Sequence, residues 1–197
     1  MNSRVPCFAV DMGGCGGSLI APDLVLTAAH CGNYYGRFIT VGSYNRGQGT
    51  RVQVVNYARH PQFSQSNFQN DFALLKITPP VSINFNVQIN SQRNLQDYEG
   101  LDVIGMGAQY EGGGLSSTLR DLSTRKLPTE LCNRPQWYGG IVDDVSMFCA
   151  GFQKGGRDAC QGDSGAPIVR KSGNQHTIVG MGTCLMCNTG CGSTAFV

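Results

Sequence analysis

Asp158-Ala159-Cys160-Gln161-Gly162-Asp163-Ser164-Gly165-Ala166-Pro167 is the stretch from which the rest of the chain can be read. A serine hydroxyl is a weak nucleophile. It becomes a strong one when a base takes its proton and backbone N–H groups face the developing oxyanion. Glycines on both sides of Ser164 leave room for a tight turn that presents the hydroxyl and those N–H groups together. Far upstream, Leu26-Thr27-Ala28-Ala29-His30-Cys31 offers a base. Between the two, Asn70-Asp71-Phe72-Ala73-Leu74-Leu75 offers a carboxylate to orient it.

Around these motifs, short apolar and β-branched runs alternate with turn residues. They are 17–20, 24–28, 38–41, 51–58, 72–77, 101–105, 167–169 and 177–181. Several alternate apolar and polar side chains, as in Arg51-Val52-Gln53-Val54, which is a strand pattern. Only Thr129–Asn133 and the residues just after Thr27 read as helical turns. The pattern predicts an all-β sandwich or barrel. Thr78-Pro79-Pro80 through Glu99-Gly100 is polar and rich in breakers, and reads as the connection between two halves. His30 and Asp71 precede it and Ser164 follows it, so a site built from all three lies in the cleft between the halves.

Composition narrows the function. Charged residues are 14% of 197, below the roughly 25% usual in soluble proteins, and the 27 glycines are about twice the usual share. A net charge of +2, with Lys and Arg scattered, argues against a nucleic-acid surface. No stretch is long enough to span a membrane. Nine cysteines imply an oxidising compartment and a disulfide framework. Met1-Asn2-Ser3-Arg4-Val5-Pro6 is not followed by the apolar core of a signal peptide, and no Asn-x-Ser/Thr sequon occurs.

The order His30, Asp71, Ser164, with its surrounding motifs, resembles the trypsin/chymotrypsin family of serine endopeptidases. Cys15-Gly16-Gly17-Ser18-Leu19-Ile20, Thr27-Ala28-Ala29-His30-Cys31, Asn70-Asp71 and Gly162-Asp163-Ser164-Gly165 all follow the family pattern, from about Pro6 to Val197. The G-x-S-x-G elbow of the α/β-hydrolases does not fit, because Ala166 stands at its last position. The resemblance implies two antiparallel six-stranded β-barrels, about 1–90 and 91–197, with the active site between them. It implies Ser164 as nucleophile, His30 as acid–base and Asp71 as its orienting partner, with the N–H groups of Gly162 and Ser164 as the oxyanion hole. His60 and His176 read as structural.

The same resemblance puts Asp158 at the floor of a pocket for a basic side chain. Gly180, Met181, Gly182 and Gly192 then form the walls. Ala159 lacks the hydroxyl that trypsin has beside that carboxylate. Arginine's fork can bind a carboxylate bidentately, so Arg is expected over Lys before the scissile bond. Three disulfides are implied: Cys15–Cys31, Cys132–Cys149 and Cys160–Cys184. The last is offset by one residue from the family register, which keeps Cys187 as an alternative, and Cys7 is left over. A metal-binding module built on Cys184, Cys187 and Cys191 is a weaker alternative. Residues 42–59 contain no Asp or Glu, so no calcium loop is expected. No cofactor is implied. The implied partners are protein or peptide substrates with basic residues, and protein protease inhibitors. The implied state is a secreted monomer.

Three departures matter. Mature members of the family begin with Ile or Val followed by Val-Gly-Gly, and the freed ammonium pairs with the aspartate before the nucleophile, here Asp163. Neither that start nor the closing C-terminal helix is found, so the chain is expected to be incomplete at both ends. Without a cation, a buried Asp163 is expected to turn outward and leave the oxyanion hole unformed. That is the alternative of a zymogen-like or non-catalytic homologue acting as a binding protein. Met106 and Met181 stand where tryptophans are usual, and Met181 is expected to line the substrate cleft.

Overall fold

The computed structural model describes residues 8–82, 87–153 and 159–183, and the backbone of 194–196. The first half holds six strands: β1 (Ala9–Asp11), β2 (Gly16–Ala21), β3 (Leu24–Thr27), β4 (Phe38–Val41), β5 (Thr50–Arg59) and β6 (Ala73–Thr78). They close into a barrel in the order β1-β2-β3-β6-β5-β4. Period-two alternation fills it. Ala73, Leu75 and Ile77 of β6, Val52 and Val54 of β5, and Ile39 and Val41 of β4 are buried, while Lys76, Gln53 and Thr40 are not.

The second half holds β7 (Val87–Ile89), β8 (Gly100–Gly105), β9 (Arg120–Leu127), β10 (Phe148–Ala150), β11 (Pro167–Ser172), β12 (Gln175–Thr183) and β13 (Thr194–Phe196). Their order is β11-β8-β9-β10-β13-β12-β7, and β11 also pairs with β12. Six strands thus form a ring and β7 lies outside it. β7 runs parallel to β12 as an addition outside the antiparallel ring. It falls in the stretch read as a bare connection: Val87 and Ile89 are too few for a pattern to stand out. The helical turns are a 3-10 turn at Ala29–Cys31 and α1 at Thr129–Cys132.

One apolar core runs through both halves. Leu19, Val25, Ile39, Val54, Leu75 and Ile77 from the barrel share it with Ile104, Met106, Leu119, Val169 and Ile178 from the second half. Met106 therefore fills core where a tryptophan was the family expectation, as a flexible thioether can. Disulfides join Cys15 to Cys31 and Cys132 to Cys149. Cys160 is also disulfide-bonded, and its expected partner Cys184 lies outside the described residues.

Candidate active site

Strand register brings base and acid together. Thr27 ends β3 opposite Ala73, which begins β6. His30 lies three residues beyond one end of that pair and Asp71 two residues before the other, so both reach the same rim of the barrel. Asp71 has no exposed surface. Its Oδ1 accepts the His30 backbone N–H at 2.8 Å and its Oδ2 contacts His30 Nδ1 at 2.5 Å. Thr183, equally buried at the end of β12, donates its hydroxyl to Oδ2 at 2.7 Å. A buried carboxylate needs such donors. Facing a carboxylate, Nδ1 carries the proton, which leaves Nε2 as the acceptor. The ring is 16% exposed, with Phe68 edge-on at 5.5 Å.

The Ser164 turn is fixed by its backbone. Ser164 O accepts the Gly16 N–H at 2.7 Å, and Gly165 N–H donates to Gly182 O at 2.7 Å. Gly162 and Gly165 have φ of 94° and 74°, the left-handed region that suits glycine. A Cβ on Gly165 would stand 2.5 Å from both Gly16 O and the Thr27 hydroxyl oxygen, so only glycine allows the turn to seat against β2 and β3. Cys31 Sγ lies 3.8 Å from Ser164 O, which places the turn beside the element carrying His30. Among the described residues, no hydrogen bond joins the Ser164 hydroxyl to the His30 ring. Such bonds are often long before substrate binds.

The N–H groups of Asp163, Gly165 and Ala166 are each spent within the protein. Those of Gly162 and Ser164 are not, among the described residues. An oxyanion hole needs N–H groups that are not already bonded. Asp163 points inward, where an outward turn was expected. Its Oδ1 accepts from Gly107 N–H at 2.8 Å and its Oδ2 from Cys160 N–H at 3.1 Å. Burial pushes its carboxyl pKa up, partly offset by these two bonds and by Arg46. Two charge-assisted backbone bonds hold it in place.

A sequence model of the family described as Trypsin matches residues 3–196. The chain belongs to the trypsin family. It is 36% identical over 163 residues to a trypsin of Squalus acanthias, covering 79% of this chain and 69% of that protein. It is 36% identical over 163 residues to trypsin-3 of Salmo salar, covering 79% and 66%. A vitellin-degrading protease of Bombyx mori is 35% identical over 166 residues, covering 80% and 62%. The chain thus spans 62% to 69% of the length of these trypsin-family relatives.

Three of the four expected wall residues, Gly180, Met181 and Gly182, lie in the last strand before Cys184. Gly180 and Met181 pair with Ile168 and Pro167 inside the sheet, and Met181 is only 5% exposed. Met181 is therefore core and not the exposed cleft wall expected of it. A Cβ on Gly182 would meet Asp163 O at 2.5 Å, so this glycine makes room for the nucleophile turn. The buried Thr183, which no motif announced, marks the strand end that reaches Asp71. Asp158 and Gly192 lie outside the described residues. His60 packs on Phe72 and His176 on Phe8, as structural histidines do. Cys15, His30 and Cys31 are close enough to suggest a metal, but both sulfurs are spent on their disulfide.

Proposed function

We propose that the chain is a serine endopeptidase that cleaves after arginine, and less well after lysine, through an acyl-enzyme. Ser164 Oγ attacks the scissile carbonyl carbon while His30 Nε2 takes its proton. The carbonyl oxygen becomes an oxyanion facing the Gly162 and Ser164 N–H groups. Asp71 keeps the ring in the required tautomer and stabilises the imidazolium. His30 then returns the proton to the leaving amine as the C–N bond breaks, leaving an ester on Ser164. Water, deprotonated by His30, hydrolyses that ester and restores the hydroxyl. Asp158 pairs with the basic side chain and Gly192 lines the same pocket.

The reading is carried by one observation: a fully buried Asp71 fixes the His30 ring beside a serine turn with two unspent N–H groups. The paired disulfides and the family support a secreted monomer of two barrels, divided near residue 90, that protein inhibitors can block. Peptide amides ending in Arg or Lys test it. The expected result is hydrolysis with the higher kcat/KM on arginine, lost in Ser164→Ala. Equal or better cleavage after lysine contradicts the arginine preference. No cleavage of either contradicts the enzyme and leaves the non-catalytic homologue.

A further inference from the structure

Arg46 lies on the loop between β4 and β5, outside every catalytic motif, and its guanidinium reaches across to the loop between β8 and β9. Nη2 donates to Met106 O at 2.5 Å and Nε to Ser116 O at 2.9 Å. Nη1 donates to Asp11 Oδ1 at 2.7 Å, and the Asp11 side chain is mostly buried. Arg46 N–H also donates to Ser117 O at 2.9 Å. Met106 and Ser116 are the two ends of one loop, and Ser116 N–H bridges back to the carbonyls of Met106 and Gly107 at 3.1 Å each. One planar fork therefore clamps both ends of the loop to the first barrel, as arginine's fixed donor geometry allows.

That loop supplies one of the two bonds that hold the Asp163 carboxylate. Gly107 N–H donates to Asp163 Oδ1, and Ala108 N–H donates to Gln161 O at 2.8 Å. A Cβ on Gly162 would meet Gly107 Cα at 3.2 Å and Leu115 Cδ2 at 2.4 Å, so the loop is also the floor under the Gly162 turn. We propose that Arg46 is a positioning residue for the oxyanion hole: by clamping the 106–116 loop it fixes Asp163 and the Gly162 N–H. The proposal rests on the reading of Gly162 and Ser164 as that hole. It explains how Asp163 stays inward, since the guanidinium charge also favours the ionised carboxylate.

The test compares Arg46→Met and Arg46→Lys with the parent 197-residue chain by amide hydrogen exchange and by kinetics on an arginyl peptide amide. Arg46→Met should lose protection at Gly107, Ala108 and Ser116 while the Leu75 amide of the first barrel keeps it. Its kcat should fall about 10-fold or more with KM nearly unchanged, the mark of an interaction made in the transition state. Lysine cannot bridge two carbonyls and a carboxylate in one plane, so Arg46→Lys should fall between the other two. Unchanged protection at Gly107 in whichever variant folds overturns the proposal, as does an unchanged kcat where the parent is active. Should the parent hydrolyse nothing, the endopeptidase reading fails, and the exchange data still decide what Arg46 holds.

Discussion

At Asp71 a carboxylate with no exposed surface accepts three hydrogen bonds, two of them from His30. Its task is orientation, so a change of charge there matters more than a change of size. Asp71→Asn should fold but lower kcat by about 10⁴, the size known for this change in the family's serine–histidine–aspartate triad, because the amide favours the wrong tautomer. Steady-state kinetics check it, with circular dichroism showing the fold retained. Asp163 gives a pH prediction. Its folded pKa is raised above the ordinary 3.8, chiefly by burial. Between those values the folded state holds a proton that the unfolded state releases. The stability it contributes is thus complete below 3.8 and is lost as pH rises through the folded value. Denaturant titrations from acid to neutral pH should show the native chain losing stability relative to Asp163→Asn across that window. A constant difference would contradict the burial argument. The closeness of His30 to Asp71 was legible because each sits in a short local motif. Thr183 and Arg46 were not, because their partners lie 112 residues away at Asp71 and 70 at Ser116. No window of sequence shows such a pair.

Elements set the geometry that these residues use. The β3–β6 register delivers His30 and Asp71 to one rim, and the Cys15–Cys31 disulfide ties the start of β2 to the turn carrying His30. Its ends are 16 residues apart, and closing a loop of that size stabilises by about 3 kcal/mol in the chain-entropy account. Cys15→Ala with Cys31→Ala should lose about that much in urea unfolding and also lower activity, since the Ser164 turn seats against the same strand. Strands with clean alternation, such as β5 and β6, were readable from the sequence. β9 was not: Arg120-Asp121-Leu122-Ser123-Thr124-Arg125-Lys126-Leu127 is mostly solvent-facing, and burial reaches only Thr124 and Leu127. Its strand form is imposed by pairing along the full length of β8. β1 and β10 have three residues each, too few for any period to show.

At the scale of the whole molecule, the site exists because two sheets share a core. The first carries His30 and Asp71, the second carries the Ser164 turn, and Thr183 crosses from the second to reach Asp71. The all-β class followed from pattern. The depth of Met181 and the inward Asp163 did not, since both depend on how the turn packs against β12 and the 106–116 loop. The central claim is that this packing leaves Ser164 activated. Its most direct measurement is reaction of the chain with a fluorophosphonate, followed by peptide mass spectrometry. The account predicts a single adduct on Ser164, absent in Ser164→Ala and strongly reduced in His30→Ala. An unmodified Ser164 in folded protein would contradict it.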